Sequence, residues 1–137
     1  ALPEKERHAD MAGANANGRW GTMIKRAQNM EREIREQMRG GKGTVEMLHV
    51  FRQEELGGRC RLLAKLTLEP GASIGKHVHE SEEEVFYILQ GTALVDDDGT
   101  PVTLTAGDAL LTGGGRSHSV ENTGNEPLEM MAVILLY

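Results

Sequence analysis

The stretch Gly71-Ala-Ser-Ile-Gly-Lys-His77-Val-His79-Glu-Ser-Glu-Glu-Glu84-Val-Phe-Tyr-Ile-Leu-Gln-Gly91 decides how this chain is read. His77 and His79 are two residues apart, so on a β-strand both rings leave the same face. They then sit about 6–7 Å apart along the backbone, two strand rises. Neutral imidazole is the commonest metal ligand, and two rings at that spacing can converge on one ion. Glu84 opens the next strand and can add a hard, charged oxygen. Further along, Gly113-Gly-Gly115-Arg-Ser-His118 places a third imidazole after a glycine-rich turn. A closed barrel can bring that ring opposite the first two. Three imidazoles and one carboxylate leave two positions of an octahedron open, which gives room for water, dioxygen or a chelating substrate.

Around this stretch the pattern is that of short strands. Val45, Met47, His49 and Phe51 alternate with Glu46, Leu48, Val50 and Arg52, and Leu62, Ala64, Leu66 and Leu68 share one side of the next segment. Glu69-Pro70-Gly71-Ala72 carries turn chemistry. Further strands are expected at His77–Glu80, Glu84–Leu89, Thr92–Asp96, Pro101–Leu104, Ala109–Leu111, His118–Glu121 and Met130–Tyr137, separated by Gly-, Asn- and Asp-rich breaks. About eight short strands with no crossover helices point to an all-β fold, a closed double-sheet barrel or jelly roll over residues 44–137. No internal repeat is present, so one barrel is expected. Residues 23–38 are rich in helix formers, and Ile24, Ala27, Met30, Ile34 and Met38 recur every three or four residues. A short amphipathic helix is expected there, within an N-terminal arm of residues 1–43. Arg39-Gly-Gly-Lys-Gly43 would end that helix as a basic loop with a secondary capacity to cover a ligand's carboxylate.

The two histidine-bearing stretches resemble the two motifs of the cupin superfamily. Gly71, five residues, His77-Val-His79, four residues, Glu84, six residues and Gly91 match the first motif in full. Gly107, five residues, Gly113-Gly-Gly115, two residues, His118, three residues and Asn122 match the second, except that Gly113 stands where the family usually has proline. The resemblance covers residues 44–137. It implies a double-stranded β-helix of the small single-domain type. It also implies that His77, His79, Glu84 and His118 bind one divalent transition-metal ion: manganese, iron, nickel or zinc. The missing proline implies a more flexible turn before His118.

Several features have plainer readings. His8 and His49 are read first as surface or hydrogen-bonded side chains, although His49 shares its alternating side with Val45 and Met47 and can line the barrel. Glu80, Glu82 and Glu83 read as a solvated loop, although Glu82 shares strand parity with Glu84. Met130 and Met131 suit a core, since thioether prefers softer metals. Arg61, Tyr87, Gln90 and Tyr137 are further candidates for the cavity, with register near bulges undecided.

Composition narrows the function. The chain has 137 residues, one domain's worth, with 17 glycines, four prolines and a formal charge of −6. A surplus of acid argues against nucleic acid and against a basic membrane-binding face. No run of eighteen apolar residues exists to span a bilayer. Cys60 is the single cysteine, so no internal disulfide is expected, which fits a cytoplasmic setting. The opening residues are not expected to be an uncleaved signal peptide. Met23 is a candidate start, with residues 1–22 a processed leader or an expression remnant. A homodimer is expected, because Trp20, Met23, Ile24, Met30 and Ile34 need a surface to cover them. The expected function is that of a metal-dependent enzyme acting on a small oxygen-rich or carbonyl metabolite, of the dioxygenase, decarboxylase or isomerase type. The alternative is a non-catalytic metabolite-binding or sensing barrel with a structural metal. No helix-turn-helix accompanies the barrel, which favours the enzyme.

Overall fold

The computed structural model describes residues 22–137. Trp20, His8 and the question of residues 1–22 as a leader therefore fall wholly or largely outside the described residues. Ten strands follow one another: β1 (Glu31–Glu36), β2 (Thr44–His49), β3 (Cys60–Leu68), β4 (Ser73–Val78), β5 (Glu82–Gln90), β6 (Thr92–Asp97), β7 (Thr100–Thr105), β8 (Ala109–Gly113), β9 (Ser117–Asn122) and β10 (Leu128–Leu136). They form a six-stranded sheet in the order β1-β2-β3-β10-β5-β8 and a four-stranded sheet in the order β4-β9-β6-β7. Every pairing is antiparallel. This is the jelly-roll barrel that the alternation predicts.

The period-two pattern explains the packing. Val45 and Met47 of β2, Ala64, Leu66 and Leu68 of β3, Phe86 and Ile88 of β5, and Leu128, Met130 and Ala132 of β10 point inward from the larger sheet. Ile74, Ala93, Val95 and Val120 meet them from the smaller one. Full burial of each large aliphatic or aromatic side chain contributes roughly 1.5–3 kcal/mol. Met130 lies in the core as expected, whereas Met131 lies half-buried outside it. The Glu69–Ala72 turn forms, closed by the Ala72 amide donating to the Glu69 carbonyl at 2.9 Å.

The N-terminal arm corrects the sequence reading. Residues 23–38 do not form a helix: Ala27–Asn29 makes one 3-10 turn, and Glu31–Glu36 is a strand. All six residues of β1 pair with β2, from Glu31 opposite His49 to Glu36 opposite Thr44. Pairing with an available sheet edge outweighs the modest helix preference of Glu, Arg, Gln and Met. The stripe at spacings of three and four was also compatible with alternation, in which Glu31, Glu33 and Arg35 face one way and Arg32, Ile34 and Glu36 the other. The sheet thus begins before residue 44.

Candidate metal centre

Strand geometry brings four side chains together. His77 on β4 lies directly opposite His118 on β9. Between Ile74 and His77 the register shifts, one extra residue in β4 against β9. That bulge lets Ile74, in the core, and His77, three positions on, face the same interior. His79 lies just past the end of β4, and Glu84 takes the inward side of β5 beside Phe86. His79, Glu84 and His118 are buried, and His77 is nearly so. One donor atom from each of the four lies within 4.8 Å of every other, an arrangement that could hold a metal ion.

The ring nitrogens show how the cluster is prepared. His77 Nδ1 donates to the Gly75 carbonyl at 2.7 Å, His79 Nδ1 to Glu82 Oε2 at 3.1 Å, and His118 Nδ1 to Thr112 Oγ1 at 2.9 Å. With each Nδ1 hydrogen so engaged, each Nε2 presents a lone pair to the centre. The His118 and His77 Nε2 atoms are 3.0 Å apart, and those of His79 and His118 are 3.1 Å apart. The three rings stand nearly perpendicular, at 74–81°. Glu84 Oε1 lies 2.9 Å from His79 Nε2 and 3.1 Å from His118 Nε2. Lone pairs so placed repel unless a cation lies among them. Two donors about 2.1 Å from one ion and at right angles are also about 3 Å apart. The donor set therefore fits a divalent cation. Phe86 stacks on His118 at 4.8 Å and 13°, fixing that ring.

Without a metal the same cluster favours protons instead: burial would raise the Glu84 carboxyl, but His118, His77 and His79, acting in their protonated forms, hold it far below the usual carboxylate range. The hydrogen bond to Glu84 raises His79 against the opposing effect of burial, and Glu82 adds to the rise. Burial dominates at His118 and lowers it.

Above the cluster a cavity of about 210 Å³ opens, reached by His77, His79 and Glu84 from below. His49 and Arg61, left undecided by the sequence, both line it. His49 is 8% exposed and meets Glu33 of β1 at 2.8 Å. Arg61 reaches the cavity because β3 bulges there: Ile134 pairs with Leu62 and Leu135 with Cys60, leaving Arg61 as the extra residue. Its guanidinium pairs with Glu82 at 2.8 Å. Tyr87, Gln90 and Tyr137 are exposed and do not line the cavity; Tyr137 Oη instead accepts the Gly114 amide at 3.1 Å.

Sequence reasoning missed Glu33 and Arg35, because a strand at β1 was not foreseen, and Arg52, which follows β2 and pairs with Glu31 of that strand. It also set aside Glu82, whose parity with Glu84 was the available signal. Burial would raise the Glu82 carboxyl, but Arg61 and His79 overcome that and hold it low. Gly113 has its own explanation: a Cβ there would lie 2.8 Å from that of Glu83, so no side chain fits this backbone. The turn it opens is tied by Gly115 donating to the His79 carbonyl at 2.9 Å and Arg116 to the Gly113 carbonyl at 3.1 Å. Asn122 at the end of β9 is buried, and its side chain bonds the Leu68 and Glu126 carbonyls and the Gly124 amide. Its place in the motif is structural.

Residues 64–134 match the Cupin_2 family, the cupin domain. The chain belongs to the cupin family. This cupin is 46% identical over 114 residues to a protein of Thermotoga maritima named "Oxalate-binding protein", covering 83% of this chain and 94% of that one. A crystal structure titled "predicted oxalate decarboxylase", also from Thermotoga maritima, superposes with a TM-score of 0.80 at 46% identity, over 84% of this chain and all of the other. The polyketide cyclase RemF of Streptomyces resistomycificus shares the fold at 19% identity and a TM-score of 0.66, over 83% and 80% of the two chains. No helix among the described residues is long and apolar enough to cross a membrane.

Proposed function

We propose that this cupin binds one divalent transition-metal ion through His77, His79, Glu84 and His118, and that the metal captures a small dicarboxylate of the oxalate class in the cavity above it. The observation that carries the reading is the convergence of three Nε2 atoms, each with its Nδ1 engaged, on one carboxylate. The net ligand charge of −1 leaves a bound divalent ion at +1, which favours an anion. The cavity suits a ligand of a few heavy atoms, and arginines 35, 39, 52 and 61 contribute to its lining. The names of the two Thermotoga maritima proteins supply the ligand class.

When bound, the metal supplies a Lewis acid that stabilises negative charge on ligand oxygens. The protein holds it with neutral imidazoles and excludes water with Phe86, Met47, Leu66 and Ile134, which also line the cavity. Turnover is the second reading, favoured by the Glu33–His49 pair in the same cavity. Loss of carbon dioxide from oxalate breaks the C–C bond and requires one proton at the remaining carbon to give formate. His49, paired with Glu33 and lining the cavity, is placed to deliver that proton.

Elemental analysis of protein purified without added metal should give about one transition-metal ion per chain. Calorimetry with oxalate should show binding by the loaded protein and none after chelation. Absence of both stoichiometric metal and metal-dependent oxalate heat defeats the proposal. Release of equimolar formate and carbon dioxide would establish turnover, whereas binding without products leaves a metabolite-binding barrel.

A homodimer completes the proposal. The outer face of the six-stranded sheet presents Leu111 (61% exposed), Tyr87 (45%) and Leu135 (39%) on strands β8, β5 and β10. A second copy packing isologously across this face would cover them. Light scattering that returned only monomer mass at micromolar concentration would refute the dimer.

A further inference from the structure

We propose that Arg39, on the turn between β1 and β2, is the residue that recognises the anionic ligand's charge in the cavity above the metal cluster. The inference rests on the metal-and-dicarboxylate reading and adds the side chain that selects a dianion over a monoanion. Arg39 lines the same cavity as His77, His79 and Glu84. The other three cavity arginines each lie in an ion pair with a carboxylate, although Arg52 Nη1 makes no hydrogen bond. Arg35 pairs with Glu33 at 2.7 Å, Arg52 with Glu31 at 2.7 Å, and Arg61 with Glu82 at 2.8 Å. Among the described residues, Arg39 alone of the four makes no such ion pair. An exposed, unpaired arginine among the lining residues of a cavity can offer two parallel N–H donors to an incoming carboxylate, a geometry that a point charge cannot reproduce.

The backbone under Arg39 is held in an unfavourable shape. Its φ is +55° and its ψ 29°, and Gln37 two residues before has φ +50°. Left-handed backbone at two non-glycine residues in one short turn carries a conformational cost, and such strain collects where a side chain must be aimed. The turn is also docked onto β4, the strand that carries His77. Ser73 donates its amide to the Lys42 carbonyl at 2.8 Å, and the Lys42 amide donates to Ser73 Oγ at 2.9 Å. Gly41 and Gly75 face each other so closely that a Cβ at Gly75 would overlap the Arg39 carbonyl, and one at Gly41 the Ser73 carbonyl. Gly75 is also the residue whose carbonyl orients the His77 ring. One backbone contact therefore sets both the metal ligand and the arginine, and fixes their separation. A loose basic loop, the plainer reading of Arg39–Gly43, would show none of these ties.

The test compares wild type, Arg39→Gln and Arg39→Lys, all metal-loaded, by calorimetry with oxalate and with acetate. Arg39→Gln should bind oxalate roughly ten- to a hundredfold more weakly, the loss of a charged hydrogen-bonding partner. Its acetate affinity should change much less, so that discrimination between the two collapses. Metal content and thermal midpoint should match wild type, because the side chain touches no metal ligand and Gln keeps the same backbone. Arg39→Lys should recover part of the affinity. Oxalate binding by Arg39→Gln equal to that of wild type overturns the role of Arg39 and leaves the metal-and-dicarboxylate reading intact. Failure of loaded wild type to bind oxalate overturns both. A parallel loss of metal in Arg39→Gln would make the residue structural and also overturn the proposal.

Discussion

In the cluster that floors the cavity, His118 lies fully buried behind the lining and Glu84 is 4% exposed, while at the rim the side chains of Arg52 and Arg61 keep about a third of their surface open. The floor comes from β4, β5 and β9, which belong to both sheets, and from the residue that follows β4. Each of its donors has one orientation, because each Nδ1 is engaged and Phe86 stacks on His118. The rim comes from β1, β2, their turn and the β3 bulge, all on the larger sheet or at its edge. Its charges are mostly spent on one another. Glu33 receives Arg35 on one oxygen and His49 on the other, and those bonds, Arg35 foremost, lower its carboxyl. On the proposed function, the difference implies a division of work: the buried floor would fix where a cation goes, and the solvated rim would tune what anion follows it.

The largest effect should come from the floor. Replacing both His77 and His79 with alanine removes two of four donors and leaves Glu84 buried beside one imidazole. Metal content after identical purification and dialysis should fall to background, with the β-type circular dichroism spectrum retained. A double variant that keeps wild-type metal content would break the comparison, because the ion would then reside elsewhere.

The floor was legible in the sequence and the rim was not, for a physical reason. Metal ligands need fixed spacings along one or two strands, and such spacings survive in one dimension as His-X-His and the four residues to Glu84. The barrel was legible on the same ground, since burial on one face enforces period two. The rim depends on three things that have no local signature. The first is β1, written in residues with helix preference and decided by the free edge of β2. The second is the bulge that turns Arg61 inward against its parity with Leu63 and Lys65. The third is the Gly41–Gly75 contact, which joins segments more than thirty residues apart. Glu82 lies between the two cases: its parity was visible, but its partner Arg61 was not.

The pH dependence separates the two regions next. Glu84 is held well below the usual carboxylate range, so it stays ionised throughout mild acid; any stability it contributes is lost only when pH falls toward that depressed value. His79 is shifted upward, so in the metal-free protein its protonated form is favoured, and the stability it adds is present below the ordinary histidine value and lost as pH rises through the shifted one. Metal requires the neutral ring. Bound metal should therefore leave as pH falls through the histidine range, around 6.5 and below. Dialysis across about pH 8 to 3 followed by elemental analysis reads the midpoint. A midpoint near 4 would mean that a carboxylate, not an imidazole, controls release.

The smallest effects test the one link between floor and rim, the chain Arg61–Glu82–His79. Glu82→Gln keeps size and one acceptor oxygen but removes the charge that orients and strengthens His79 as a ligand. Loss of such a supporting partner typically costs about 10–100-fold in metal affinity. Arg61→Gln removes only the half-exposed guanidinium behind Glu82. Solvent already screens that ion pair, and exposed pairs are worth about 1 kcal/mol or less, so metal affinity should fall by about fivefold at most. Metal titration against a competing chelator resolves both changes. If Arg61→Gln weakens the metal as much as Glu82→Gln does, the rim is part of the metal centre and the division between the two regions fails. If Arg61→Gln leaves the metal nearly untouched while Glu82→Gln does not, the boundary between them runs through the Glu82 carboxylate, one oxygen of which meets both His79 and the Arg61 guanidinium.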